Sequence, residues 1–470
     1  FYLETGGNII VRSNISEILK EKESENYLDF TSIVQLLNKN FIFGDRTLIQ
    51  GVKRTPWMGK LNEEKTGWDY FNVPAHSERQ LNQNGIAEHL FALLEQEMLE
   101  YVSKFSQIGI LLTGGMDSRI VACVLNQLII KGKLSNKQVM GITWGLSNSR
   151  DVVYASRIAK LLNWEWIHLS VDAEQIMENS KYTVDAGCEF SPIHLHAMSK
   201  VADLKGVECI LAGSFGDSIG RGEYSGKHVQ NLKPLNTDFK NVGGILRTDF
   251  LELSEAETKN EIQKYHELFP QQKKYQQLEQ DYQLHYMRRM LNPCFAVISK
   301  RLPVFQMFTS SLVFGFMWSL NPLLRNNMIY KKILENNNKQ LLEIPWARYG
   351  MKYPETEGKG DEFLKRHHNY GTLIRREVLT GLKDKIKAGP LQDANIFNMK
   401  SIYNLIRFCK KTPLKESFFY EEKLIWIGAF SDFMKEFNIK SDLPKEKKSL
   451  KAKLVNYGEY YGRYLTTKLR

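Results

Sequence analysis

Short unbroken apolar runs alternate along the chain with apolar residues spaced three or four apart. Ile108 to Leu112 is such a run, of the length and composition of a parallel strand buried on both faces. The apolar stretch Ile120-Val-Ala-Cys-Val-Leu125 follows it, and between them lie Thr113, Gly114, Gly115, Asp117 and Ser118. This order predicts a strand, a glycine turn and a helix. Val139 to Thr143 predicts a second strand, ended by Trp144-Gly145, and from Asp151 the residues Ala155, Ile158, Ala159 and Leu162 mark one face of a helix. Trp166 to Ser170 and Glu208 to Ala212 predict two more strands, while Ile86, Leu90, Leu93 and Leu94 mark a helix ahead of the first. Strands that alternate with helices predict an α/β fold with a doubly wound parallel sheet.

The flanks read differently. Phe1-Tyr-Leu and Asn8 to Arg12 around Gly6-Gly7 predict a hairpin, Ser16 caps a short helix to Lys20, and Asp29 to Leu37 reads as helical. Residues 62–82 are polar and turn-rich, a linker, and residues 223–285 read as a polar insertion or lid with helical stretches. Val304 to Leu320 reads as a buried helix ended by Asn321-Pro322. It is too short for a membrane span and is interrupted by Gln306, Thr309, Ser310 and Ser311. Lys331 to Leu341 continues a helical region.

Composition narrows the class. The 470 residues, 43% hydrophobic and 25% charged, suit a soluble globular protein of two or three domains. A net charge of +11 favours polyanionic partners without choosing among nucleotide, nucleic acid and membrane surface. The cysteines, Cys123, Cys188, Cys209, Cys294 and Cys409, are scattered without a C-x-x-C pair, which fits a reducing, cytoplasmic setting, with Cys123 and Cys209 packed as small hydrophobes. The basic tail from Lys445 to Arg470, with its interleaved tyrosines, reads as a solvated helical face, with nucleic-acid contact as the alternative.

The chemistry centres on the glycine turn. Two glycines let backbone approach a ligand closely, and uncapped N–H groups at a helix start suit an anion. Asp117 beside a bound phosphate calls for a cation between them, hence Mg2+. The turn carries no Gly-Lys-Ser/Thr and is not a Walker A loop. After the fourth strand, Gly213-Ser-Phe-Gly-Asp-Ser-Ile-Gly-Arg-Gly222 offers Asp217 as a second carboxylate at a neighbouring strand end. His194 and His196 lack a third ligand at metal spacing, so one lines a cleft and the other is at the surface, while His367-His368 reads as solvated.

Residues 113–118 resemble the pyrophosphate loop of the asparagine synthetase family, Ser-Gly-Gly-x-Asp-Ser, with Thr113 in place of the first Ser. Phe43 to Leu61 resembles the segment that closes that family's N-terminal glutaminase domain, through Thr47, Gly51-Val52, Pro56 and Gly59. Residues 213–222 resemble the second signature, Ser-Gly-Glu-Gly-x-Asp-Glu, with a shift and with Ser218 at the second acid. Ser299 to Gln306 resembles Glu-x-Arg-x-Pro-Phe-Leu-Asp through Arg301 and Pro303, with Ser299 and Gln306 in place of the acids. Ile344 to Lys352 resembles the stretch that supplies a catalytic Lys.

The resemblance implies a sheet of the ATP-pyrophosphatase (adenine nucleotide α-hydrolase-like) type at 83–360. It also implies a truncated α+β glutaminase remnant at 1–61, a linker at 62–82 and a helical basic region at 361–470. It assigns ATP and pyrophosphate to Leu112, Thr113, Gly114, Gly115, Asp117, Ser118, Thr143 and Gly213, Mg2+ to Asp117 and Asp217, and catalysis to Lys352 and Arg301. The implied reaction activates a carboxylate, aspartate or a related acid, as an acyl-adenylate with release of AMP and pyrophosphate, and passes it to ammonia or an amine. Glutamine would serve only with a complete glutaminase front, since no Cys precedes Cys123 and the chain begins at Phe1 in mid-domain. The expected setting is cytoplasmic, without a membrane, and admits a homodimer. Arg119 after Ser118, with Ser299 for the family's Glu, leans toward the branch of β-lactam synthetases, lasso peptide cyclases and relatives linked to surface sugars. An RNA-modifying ATP pyrophosphatase and a non-catalytic homologue stand as alternatives.

Overall fold

The computed structural model describes residues 1–365, 368–411 and 419–444. His367 and the basic stretch 445–470 lie outside the described residues. The chain opens with a hairpin, β1 (Tyr2–Thr5) and β2 (Asn8–Val11), whose turn uses Gly6 and Gly7 at φ 56° and 78°. Helix α1 (Ile15–Lys20) is capped by Asn14 rather than Ser16, its side chain accepting from the Glu17 N–H. Helix α2 (Phe30–Lys39) is capped by Asp29 and ends at Asn40 in the left-handed region. Strands β3 (Gly59–Leu61) and β4 (Trp68–Tyr70) pair antiparallel, so the stretch 62–82, expected as a linker, holds the turn and second strand of a hairpin.

Helix α3 (Gln83–Val102) leads into the central sheet. Its strands are β5 (Gln107–Leu111), β6 (Gln138–Trp144), β7 (Glu165–Leu169), β8 (Cys209–Ala212) and, after the short pair β9 (Glu223–Tyr224) and β10 (Lys227–His228), β11 (Val304–Gln306). All are parallel, in the order β11-β8-β5-β6-β7. The side chains alternate as the pleat requires. Ile108, Ile110, Cys209 and Leu211 join the core with α3 and α4 (Met116–Ile130). Leu111, Ile142, Ile210 and Ala212 join a second core with Leu195, Met198, Phe295 and Ile298. The sheet is covered on both faces, the doubly wound arrangement that the apolar runs predict. A Cβ at Gly109 inside β5 would meet Ile210 Cδ1 at 2.6 Å and Ile142 Cδ1 at 2.9 Å, so a larger residue there would displace those side chains.

Helix α5 (Arg150–Leu161) packs on β6 and β7, while α6 (Ala173–Asp185) packs on the C-terminal helix Phe419–Glu436. A further core joins distant parts of the chain. Residues of β1, α1 and α2 pack with Ile176, Val184 and the C-terminal helical region from Tyr370 to Ile439. The helix Phe419–Glu436 lies at its centre, with Trp426 Nε1 donating to the Cys188 carbonyl. The helix expected over 304–320 is instead a strand followed by a helix. Val304–Gln306 pairs with β8, and the helix Ser311–Ser319 starts only after its cap, Ser310. Among the described residues no helix is long and apolar enough to cross a membrane.

Candidate active site

Chain order sets the location. From β5 the chain moves outward through β6 to β7, then returns to place β8 on the other side of β5. The connections after β5 and β8 therefore diverge at the carboxyl ends of adjacent strands, the crevice where open α/β sheets bind ligands. Both glycine-rich stretches lie at that crevice.

The first loop is closed by its own hydroxyls. Thr113 N donates to Ser118 Oγ (3.1 Å), Ser118 Oγ lies 3.3 Å from the Thr113 carbonyl, and Gly115 N donates to Thr113 Oγ1 (3.0 Å). Thr143 Oγ1 donates to the Leu112 carbonyl at 2.7 Å and accepts from Trp166 Nε1 at 3.0 Å, so both residues support the loop from β6 and β7. Gly115 is the N-cap of α4 and brings no side-chain cap, leaving the first-turn N–H groups for an anion. Gly114 has no room for a side chain, since a Cβ would come within 2.9 Å of Ala347 Cβ and the Arg150 carbonyl.

The second loop presses against the first. A Cβ on Gly213 would lie 2.7 Å from the Asp117 carbonyl carbon and from Ser118 N, and one on Gly216 would lie 2.7 Å from Asp117 Cβ. Phe215 is left-handed, at φ 65°, at the position where the signature has its second Gly once Asp217 is placed on the signature's Asp. Asp217 stands close enough to Asp117 for that charge to reach it. Burial, and then the Asp117 charge, push the Asp217 carboxyl up to about 6, against the opposing pull of Arg221. Two carboxylates held together at this cost fit a divalent cation completed by phosphate oxygens and water. Among the described residues no group of three His, Cys, Asp or Glu side chains could hold a metal by itself.

The expected catalytic cations lie elsewhere. Arg301 precedes β11 and so sits at the amino end of a parallel sheet, where its exposed side chain pairs with Asp203. Lys352 is exposed and pairs with Glu343. The cations whose charge reaches Asp217 are Arg221 and Arg348, neither singled out from the sequence. Arg221 is 3% exposed, with Nη2 at 3.4 Å from Asp117 Oδ1 and Nη1 at 3.2 Å from Glu223 Oε2 and 3.0 Å from Asn327 Oδ1. An arginine between two glycines, Gly220 and Gly222, was the available signal. Arg348 pairs with the other oxygen of Glu223. Arg119, fully buried, donates to the carbonyls of Gly114, Leu341, Ile344 and Pro345 and so ties the segment before Trp346 to the first loop. Its role is to position that segment, and all four of its bonds go to backbone.

His194 pairs with Glu422, and His196 lies 5.9 Å from the His368 ring, centroid to centroid. All five cysteines are unpaired in disulfide terms, and Cys123 and Cys209 are fully buried as expected.

Residues 90–312 match the family model described as asparagine synthase. Over this stretch the chain is similar to asparagine synthases. The stretch contains the sheet, both loops and both aspartates, and it starts within α3 and ends at the start of the helix Ser311–Ser319. Two solved structures are remotely similar. NMN synthetase from Francisella tularensis is 15% identical over 31% of this chain and 60% of its own length, with a TM-score of 0.21. The U34-tRNA thiolase of Methanococcus maripaludis, with its [4Fe-4S] cluster, is 11% identical over 52% and 86%, with a TM-score of 0.23. A search among curated proteins finds no match.

Proposed function

We propose that the chain is an ATP-dependent amide-forming ligase of the asparagine synthetase type, which activates a carboxylate as an acyl-adenylate and releases AMP and pyrophosphate. The observation that carries the reading is the meeting of two glycine-rich loops at the switch point, with Asp117 and Asp217 in apposition. The first loop would hold the pyrophosphate end of ATP on the uncapped start of α4. Mg2+ held by Asp117 and Asp217 would neutralise charge on the departing pyrophosphate. Gly213 and Gly216 keep the two acids close by leaving no side chain between the loops. The acyl acceptor is ammonia or an amine, and the acid is aspartate, the family's commonest substrate, or a related peptide or sugar carboxylate. Residues 1–61 are then the closing part of a glutaminase-like domain.

Calorimetry with ATP and Mg2+ tests the reading. Asp117→Ala should weaken binding about 100-fold, roughly 2.7 kcal/mol. Unaltered binding would overturn the reading, and so would ADP as the main nucleotide product in ion-exchange chromatography of a turnover mixture.

A further inference from the structure

Three charged side chains beside the aspartates have no part in that reading. Arg221 and Glu223 follow the second loop, and Arg348 belongs to the segment that Arg119 ties to the first. Glu223 bears both guanidinium groups, Arg221 on one oxygen at 3.2 Å and Arg348 on the other. Both also lie on one ring. The Arg221 and Arg348 guanidinium carbons are 5.5 and 5.3 Å from the Trp346 centroid, and Arg221 is 5.3 Å from that of Tyr330. Arg221 is buried, yet its Nε has no hydrogen-bond partner. Its contact with Asp117 is 3.4 Å, at the outer limit of a hydrogen bond. A buried guanidinium with an unused donor and one long bond is incompletely satisfied.

We propose that Arg221 and Arg348 form a two-guanidinium clamp for the pyrophosphate group, and that Glu223 holds the clamp when no anion is present. The proposal rests on the ATP reading above and deepens it. Guanidinium forks match phosphate oxygens in pairs, and two forks on one aromatic ring suit a doubly charged, multi-oxygen anion better than a single carboxylate. Glu223 occupies them with two oxygens and one charge, so it acts as an internal competitor. Arg348, with its side chain about one-third exposed, is the member with access to solvent.

The test uses the full chain and inorganic pyrophosphate with Mg2+, by calorimetry. Glu223→Gln keeps the shape and removes the competing charge, so pyrophosphate should bind about tenfold tighter. Arg348→Gln should bind it about tenfold more weakly, with an unchanged thermal midpoint. A structural ion pair predicts the opposite sign for Glu223→Gln, because its loss would loosen the site. If ATP with Mg2+ still binds while Glu223→Gln leaves pyrophosphate affinity unchanged or lower, the clamp is overturned and the ATP reading stands. Should Glu223→Gln fail to fold, unchanged pyrophosphate affinity in Arg348→Gln overturns the clamp by itself. If neither ATP nor pyrophosphate binds the wild-type chain, both readings fall.

Discussion

The loop after β5 and the loop after β8 touch through their backbones; the first is closed by its own hydroxyls, while the second, besides its own bond from Ser218 Oγ to the Phe215 carbonyl, is braced by buried side chains far along the chain. Thr113 and Ser118 close the first across five positions. In the second, Tyr330 OH donates to the Gly216 carbonyl at 2.7 Å from 114 positions away, and Gln283 Nε2 reaches Ser218 Oγ at 3.2 Å from 65. Gln283 also donates to Tyr224 OH, which donates in turn to Glu279. Glu279 is bidentate to Arg325 at 2.7 Å on both arms and accepts His76 at 3.0 Å. A local motif can thus fix one acid of the pair, while the other depends on a buried network assembled only when the whole domain folds.

The largest expected effect lies in that network. Glu279 and Arg325 are both fully buried. Burial alone would raise the Glu279 carboxyl, but Arg325 and His76 outweigh it and bring it down to about 2. Glu279→Gln would leave the Arg325 guanidinium without its counter-charge, at a cost of about 3–5 kcal/mol in urea unfolding. A loss under about 1 kcal/mol would show that the second loop does not lean on this pair.

The next effect extends the same scaffold to the N-terminal segment. Gln283 and His285 share the π-helix Tyr282–Leu291, and His285 Nδ1 accepts from Gly44 N at 2.9 Å. Burial, with Arg288 adding, lowers His285 to about 3, so it is neutral in the fold. A histidine depressed in this way contributes stability fully above about 6.5, its ordinary value, and loses it as pH falls from there toward 3. Between pH 7 and pH 5 the wild type should lose about 2 kcal/mol more than His285→Gln, whose amide oxygen can still accept from Gly44. Equal losses would detach this helix from acid sensitivity.

The contrast between the loops also explains what the sequence made legible. The run Ile108–Leu112 and the hydroxyl-Gly-Gly-x-Asp-Ser order give strand, turn and acid, because the hydroxyl bonds that close that loop lie within six residues. Asp217 facing Asp117 is legible from the neighbouring strand ends, while the left-handed conformation of Phe215, which phenylalanine rarely adopts, is not. Lys352 and Arg348 are four residues apart in one motif, and only tertiary structure separates them. Trp346 N donates to the Met351 carbonyl at 2.7 Å and closes a turn that presents Arg348 to Glu223 and leaves Lys352 beyond it, on Glu343. The sequence of Val304–Gln306 reads as helix because a short apolar run does not distinguish a buried helix from a parallel strand; β8 beside it makes the choice.

The smallest effect belongs to the self-held loop. Thr113 contributes two side-chain contacts, its Oγ1 accepting from Gly115 N at 3.0 Å and lying 3.3 Å from Ser118 Oγ, while its backbone N–H keeps the Ser118 hydroxyl in any variant. Thr113→Ser retains the acceptor and should match the wild type within about 0.5 kcal/mol, both in urea unfolding and in ATP affinity. Thr113→Ala should cost about 1–2 kcal/mol, the net worth of its two side-chain contacts, because the Ser118 hydroxyl still meets the Thr113 backbone. If Thr113→Ala instead costs as much as Glu279→Gln, the first loop is not self-held: its shape would then depend on the second loop pressed against it through Gly213, and the two acids would be fixed by one network.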